Sequence, residues 1–148
     1  MRVAKVVEAD GNVSVVVSDA DGNSTQEMIT DVETELENWR AAGPTLTVVG
    51  GTRVEIDLTV SITDYRTGFD VAQNADTIEA AMAARIDRLT AGQTMSLNAV
   101  RAAAFAAFPD DVYEVEITAI TQDGSPVTVA DIVPASSEVL RSGTVTVS

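Results

Sequence analysis

Asp19, Asp21 and Asn23 stand at alternate positions, the spacing with which a calcium-binding loop opens its ligand set. Such a loop needs glycine at its sixth position for the sharp turn and glutamate at its twelfth for the bidentate contact. Those positions hold Ser24 and Thr30, so a strand-to-helix turn accounts for these residues better. Glu114 and Glu116 share one face of an alternating run with Thr118. Paired carboxylates do acid–base work only where their environments push their pKa values apart; on a wet strand face they read as solubility groups. Asp110-Asp111, after Pro109, reads as a solvated turn. Gly50-Gly51 lacks the helix and lysine of a phosphate loop. Tyr65, Arg66 and Phe69 lie in a polar segment and are the candidate partner-contact residues.

Composition narrows the chemistry further. The 148 residues hold no cysteine and no histidine. Disulfides, thiolate catalysis and imidazole-based triads are excluded, with zinc and iron–sulfur sites of the usual kind. The expectation is no enzyme, no metal, no cofactor and no small-molecule substrate. Glycoside hydrolysis by a carboxylate pair is the enzymatic alternative, and no pair sits in a recognisable cleft. The 23 acids and nine bases leave a net charge of −14, which argues against nucleic acid, because phosphate binding needs clustered Lys and Arg. No run approaches the roughly 20 apolar residues of a membrane span, and no signal-peptide pattern follows the N-terminal bases, so the chain reads as soluble.

Acids occur in both halves, and eight of the nine bases are arginine. Together with the many Ala, Val and Thr residues, this pattern reads as a salt-adapted surface from a halophilic source, since high ionic strength screens self-repulsion. Folding is therefore expected to weaken at low salt. Thermal melts that do not move between low and molar salt would refute this.

Periodicity then supplies the elements that must position these residues. Residues 2–8 and 12–18 flank Asp10-Gly11, a strong hairpin signal. Ser24 and Glu27 have capping-box spacing, opening a helix to about Ala42 with Met28, Val32, Leu36 and Trp39 on its apolar stripe. Gly43-Pro44 stops it, and Thr45–Val49 is a short strand. Val54, Ile56, Leu58, Val60 and Ile62 alternate with polar residues, so one strand face is buried. Asp70 caps a helix to about Thr90, ended by Gly92. Ser96 caps another, with Leu97, Val100, Ala104, Phe105 and Phe108 inward and Pro109 at its end. Tyr113, Val115 and Ile117 share the inner face of the next strand. Asp123-Gly124-Ser125-Pro126 is a turn, and residues 127–133 and 143–147 are short strands. Trp39 reads as core.

The expected fold is α+β: a strand–helix–strand subdomain with a leading hairpin over residues 1–51, then a β-α-α-β-β(-β) subdomain over 52–148. In the second, two helices pack on an antiparallel sheet. Gly50-Gly51 marks the expected boundary.

The order of segments resembles a known family. It runs from the valine strand through Asp19-Ala20-Asp21-Gly22-Asn23 to a helix ending near Asn38-Trp39-Arg40-Ala41-Ala42-Gly43-Pro44. The alternating strand, the alanine-rich helix, Leu97-Asn98-Ala99-Val100 and Val112-Tyr113-Glu114-Val115 follow. Glu138-Val139-Leu140-Arg141-Ser142-Gly143-Thr144-Val145-Thr146-Val147 closes it. Over residues 12–148 this looks like the middle and C-terminal portions of baseplate J-like proteins, wedge components of contractile phage tails and related injection machines. The resemblance implies a virion structural protein, assembled in the host cytoplasm into a multi-copy symmetric tail baseplate. It has no catalytic residues to transfer. Family members carry a larger N-terminal region that helps build the ring between wedges. This chain begins almost at the middle domain, so docking to other tail and baseplate proteins is what the resemblance implies here. The strands at 2–8 and 143–147 are the expected docking edges. A free-standing adaptor at a tail or injection-machine tip, contacting its ligand through residues 65–69, is the alternative.

Overall fold

The computed structural model describes residues 2–9, 12–39 and 45–148. The chain divides into two compact units. One comprises Met1–Val54, Thr90–Gln93 and Val133–Leu140; the other comprises Glu55–Leu89, Thr94–Ile132 and Arg141–Ser148. Two short returning segments thus join the N-terminal unit, which linear reading had closed near Gly50-Gly51.

In the first unit, strands β1 (Arg2–Ala9) and β2 (Asn12–Ser18) pair antiparallel with Ala9 opposite Asn12. The Asp10-Gly11 turn itself lies outside the described residues. Helix α1 (Gln26–Trp39) then carries the chain back to β3 (Thr45–Gly50), which runs parallel to β2. A parallel neighbour requires such a crossover. The sheet order is β1-β2-β3. Period-two geometry splits the valines of β2 between its faces. Val15 and Val17 bury against Val32 of α1, with Met28 and Leu36 half-buried beside them. Val16 faces the other way and buries with Ala91 and Val139 of the returning segments.

The helix start differs from the capping-box reading by one residue. Met28 N–H donates to Thr25 Oγ1 at 3.3 Å, while the Ser24 hydroxyl donates to the Gly51 carbonyl at 3.0 Å. A tertiary partner captured the serine, so the neighbouring threonine caps. Gly50 leaves the space this needs, because a Cβ there would strike Ser24 Oγ. The end of α1 beyond Trp39, the Gly43-Pro44 stop and the Trp39 side chain lie outside the described residues.

The second unit holds most of a four-stranded sheet with order β6-β5-β4-β7, whose β4 and β7 each have their first three residues in the first unit. Its strands are β4 (Thr52–Tyr65), β5 (Val112–Gln122), β6 (Ser125–Val127) and β7 (Glu138–Val147). β4 pairs antiparallel with β5, and β5 with β6. On the other side, Ile62 N–H donates to the Ser148 carbonyl and Ser148 N–H to the Val60 carbonyl, both at 3.0 Å. That bracketing is the parallel pattern. The sheet is therefore mixed, where alternation alone implied an antiparallel one. The alternating face of β4 is buried throughout, from Val54 to Ile62. Helix α2 (Val71–Asp87) buries Ile78, Met82 and Ile86, and α3 (Leu97–Ala107) buries Leu97, Val100 and Ala104. Asp70 caps α2 as expected, accepting Gln73 N–H at 3.1 Å. Ser96 precedes α3 without a side-chain cap bond. Asp131 supplies the carboxylate instead, accepting Leu97 N–H at 2.8 Å.

Two further expectations are corrected. Tyr113 does not share the inner face with Val115 and Ile117. The register of β5 on β4 slips at Tyr113 and at Thr118. Each extra residue is a bulge that returns the following side chains to the core. Val112, Val115, Ile117 and Ile120 bury, and Tyr113 is 53% exposed. Residues 128–137 hold no continuous strand; Ile132 forms a single bridge with Met95. The Asp123-Gly124 turn has positive φ at both residues, as a two-residue hairpin loop requires.

Candidate functional site

The three sequence-nominated residues meet at one corner of the second unit. β4 ends at Tyr65, and the chain turns with Phe69 N–H donating to the Arg66 carbonyl at 3.0 Å. Gly68 takes φ +90° in this turn with open space around it. Arg66 fastens the loop to the start of β5. Its N–H donates to the Asp111 carbonyl, and its guanidinium Nη2 lies 2.7 Å from Asp111 Oδ1. Most of the Arg66 side chain remains in solvent, so this pair contributes about 1 kcal/mol or less.

The ring of Phe69 sits between two others. Its centroid is 6.2 Å from that of Tyr65 and 5.2 Å from that of Phe108, the latter edge-on. Such contacts add about 1 kcal/mol each beyond burial. Phe108 follows α3, where it accepts the N–H groups of Asp111 and Val112. Beyond the bulge, the Tyr113 hydroxyl donates to the Asp110 carbonyl at 3.3 Å. Tyr65 and Tyr113 are 43% and 53% exposed. The corner thus presents two tyrosines and an arginine on a packed aromatic base. Large amphipathic rings and a forked cation are the groups that anchor protein–protein contacts.

Phe108, Asp111 and Tyr113 were not legible as members of this site. Sequence spacing put Phe108 and Tyr113 in the core and Asp111 in a solvated turn. Only the pairing of Tyr65 with Val112 brings them beside residues about forty positions earlier.

Other candidates separate. The Asp19 carboxylate accepts the N–H groups of Asp21 and Asn23, each at 2.9 Å, and this local turn occupies the would-be calcium ligand. Glu114 and Glu116 stand exposed on β5. Among the described residues, no group of three or more acids is placed to hold a metal ion. No helix among them is long and apolar enough to cross a membrane.

Among the described residues, Asp57 is the acid with a perturbed titration. On the polar face of β4 it accepts the Thr121 hydroxyl at 2.7 Å and Thr144 N–H at 2.6 Å. It therefore ties β5, β4 and β7 together across three strands. The hydroxyl first, then the N–H, hold its carboxyl below the ordinary 3.8, since both favour the charged form. The sign follows: the folded state binds this proton less readily than the unfolded chain. Its contribution is complete above the ordinary value and is lost as pH falls below it through the depressed one. Asp57→Asn is expected to flatten the loss of stability as pH falls below the ordinary carboxylate range. Urea titrations at stepped pH check this; an unchanged acid limb would refute it.

Set beside known sequences, the chain matches no protein-family model, and no characterised protein matches it.

Proposed function

We propose that the chain is a structural component of a viral tail baseplate, a wedge-type assembly protein of a virus of a salt-adapted host. It works by docking to neighbouring tail proteins rather than by catalysis. The observation that carries this reading is the exposed Tyr65–Arg66–Tyr113 corner on its Phe69–Phe108 base. Two further features support it. β1 and β7, the strands nominated for docking, lie at sheet edges, and edge strands are templates for pairing with another chain. The segment order over residues 12–148 resembles the baseplate J-like family. Symmetry in such an assembly multiplies individually weak contacts.

Cryo-electron microscopy of the particle that contains the protein is the test. Density for the chain in the tail, with the corner covered by a neighbour, is expected. Its absence from the tail would overturn the reading. Tyr65→Ala with Arg66→Ala is expected to lower the thermal melt by only a few degrees, leave the fold intact by circular dichroism, and lower incorporation into particles by about tenfold. A stable monomer that binds a tip ligand through this corner would favour the adaptor instead.

A further inference from the structure

A second surface of the same unit differs in chemistry from the aromatic corner and shares no residue with it. Between α2 and α3 runs a groove of about 470 Å³. From α2 it takes Ala81, Ala84 and Arg85, from the C-cap that follows it Arg88, and from α3 Ala99, Ala102, Ala103 and Ala106. Both sets are spaced i, i+3, i+4, i+7, which places each on a single helical flank. Alanine floors admit another backbone closely, because nothing longer than a methyl group stands in the way.

Charge is sorted around α2. Its acids face the other flank, toward β7. Glu79 Oε1 accepts Val147 N–H at 2.9 Å, and Asp87 Oδ1 accepts Ser142 N–H at 2.8 Å. Asp76 lines a furrow beside Gly143, Thr144 and Val145. α3 carries no acid at all. Two of only nine bases, in a chain with 23 acids, are thus collected on one small-residue groove. Neither Arg85 nor Arg88 makes an ion pair among the described residues.

From this sorting we infer that the α2–α3 groove docks an acidic amphipathic helix of a partner protein. The helix lays small or apolar residues on the alanine floor. Its carboxylates, one turn apart, meet Arg85 and Arg88, which are themselves one turn apart. A second copy of this chain does not fit, because its acidic helix α1 already buries its apolar stripe on its own sheet.

Fluorescence anisotropy with designed probes tests the inference. One probe is an alanine–leucine helical peptide of about 20 residues with glutamates in i, i+3 and i+4 positions. The second replaces each glutamate by lysine, and the third is an extended glutamate–proline peptide of equal charge. The glutamate helix is expected to bind saturably and the other two weakly. Arg85→Glu with Arg88→Glu is expected to cost the glutamate helix about tenfold or more in affinity and to admit the lysine helix. Ala102→Glu, at an exposed position, serves as an independent variant and should also weaken the glutamate helix. Circular dichroism confirms that each variant folds. No binding by the glutamate helix, equal binding by the extended acidic peptide, or indifference to charge reversal would overturn the proposal. So would a dimer in sedimentation velocity that charge reversal dissolves, since the occupant would then be a second copy.

Discussion

Truncating Ile117 to alanine is expected to lower the unfolding free energy by about 3 kcal/mol, while Tyr113→Ala on the same strand changes it by less than about 0.5 kcal/mol. Ile117 is 3% exposed and faces the core opposite Val60. Removing three of its carbon atoms leaves a cavity that the surrounding β-sheet cannot close. Tyr113 is the extra residue of a bulge, its ring largely in solvent and its hydroxyl on a long bond to Asp110. Simple alternation gives the opposite expectation for Tyr113, since residues 113, 115 and 117 would share one face. Urea unfolding of both variants decides between the two registers. Equal midpoint shifts would refute the bulge as the determinant. An unchanged dependence on denaturant in both variants would show that stability, not the denatured state, had moved.

The second large effect is expected at Gly143. A Cβ there would fall on the Asp57 carboxylate and within 2.7 Å of Glu55 Cγ. β7 approaches β4 closely at this point, and glycine is required for space. Gly143→Ala is expected to cost about 2 kcal/mol through overpacking. Asp57→Ala loses the bonds to Thr121 and Thr144 and is expected to cost about 1–2 kcal/mol. The informative measurement is the double variant. Removing the carboxylate also removes part of the obstruction, so the pair should be milder than additive by about 1 kcal/mol. Strict additivity would mean that Glu55 or the backbone, not Asp57, sets the need for glycine.

Much of this fold was legible because its signals are local. The β2 valines, the alternation of Val54 to Ile62 and the Asp70 cap each depend on neighbours within a turn or two. Each was found where periodicity placed it. The misreadings arose where a distant partner competed with a local one. Ser24 has the spacing of a cap, but Gly51 takes its hydroxyl. Ser96 stands at a cap position, and Asp131 reaches it from a remote loop. The site divides in the same way. Tyr65, Arg66 and Phe69 stood out as a polar loop with large side chains; Phe108, Asp111 and Tyr113 joined them through strand pairing.

By itself the sequence determined the class of the protein: α+β, strongly acidic, without histidine or cysteine, with its helices and most strands in order. Those properties follow from residue type and spacing, which report which face of an element avoids water. Tertiary structure alone decided that β7 lies parallel on β4, that a bulge at Tyr113 turns its ring outward, and that residues 90–93 and 133–140 return to the first unit. It also decided that Arg85 and Arg88 share a groove while the acids of α2 turn toward β7. Register and edge partnership depend on contacts between residues tens of positions apart, and periodicity along the chain carries no information about that distance.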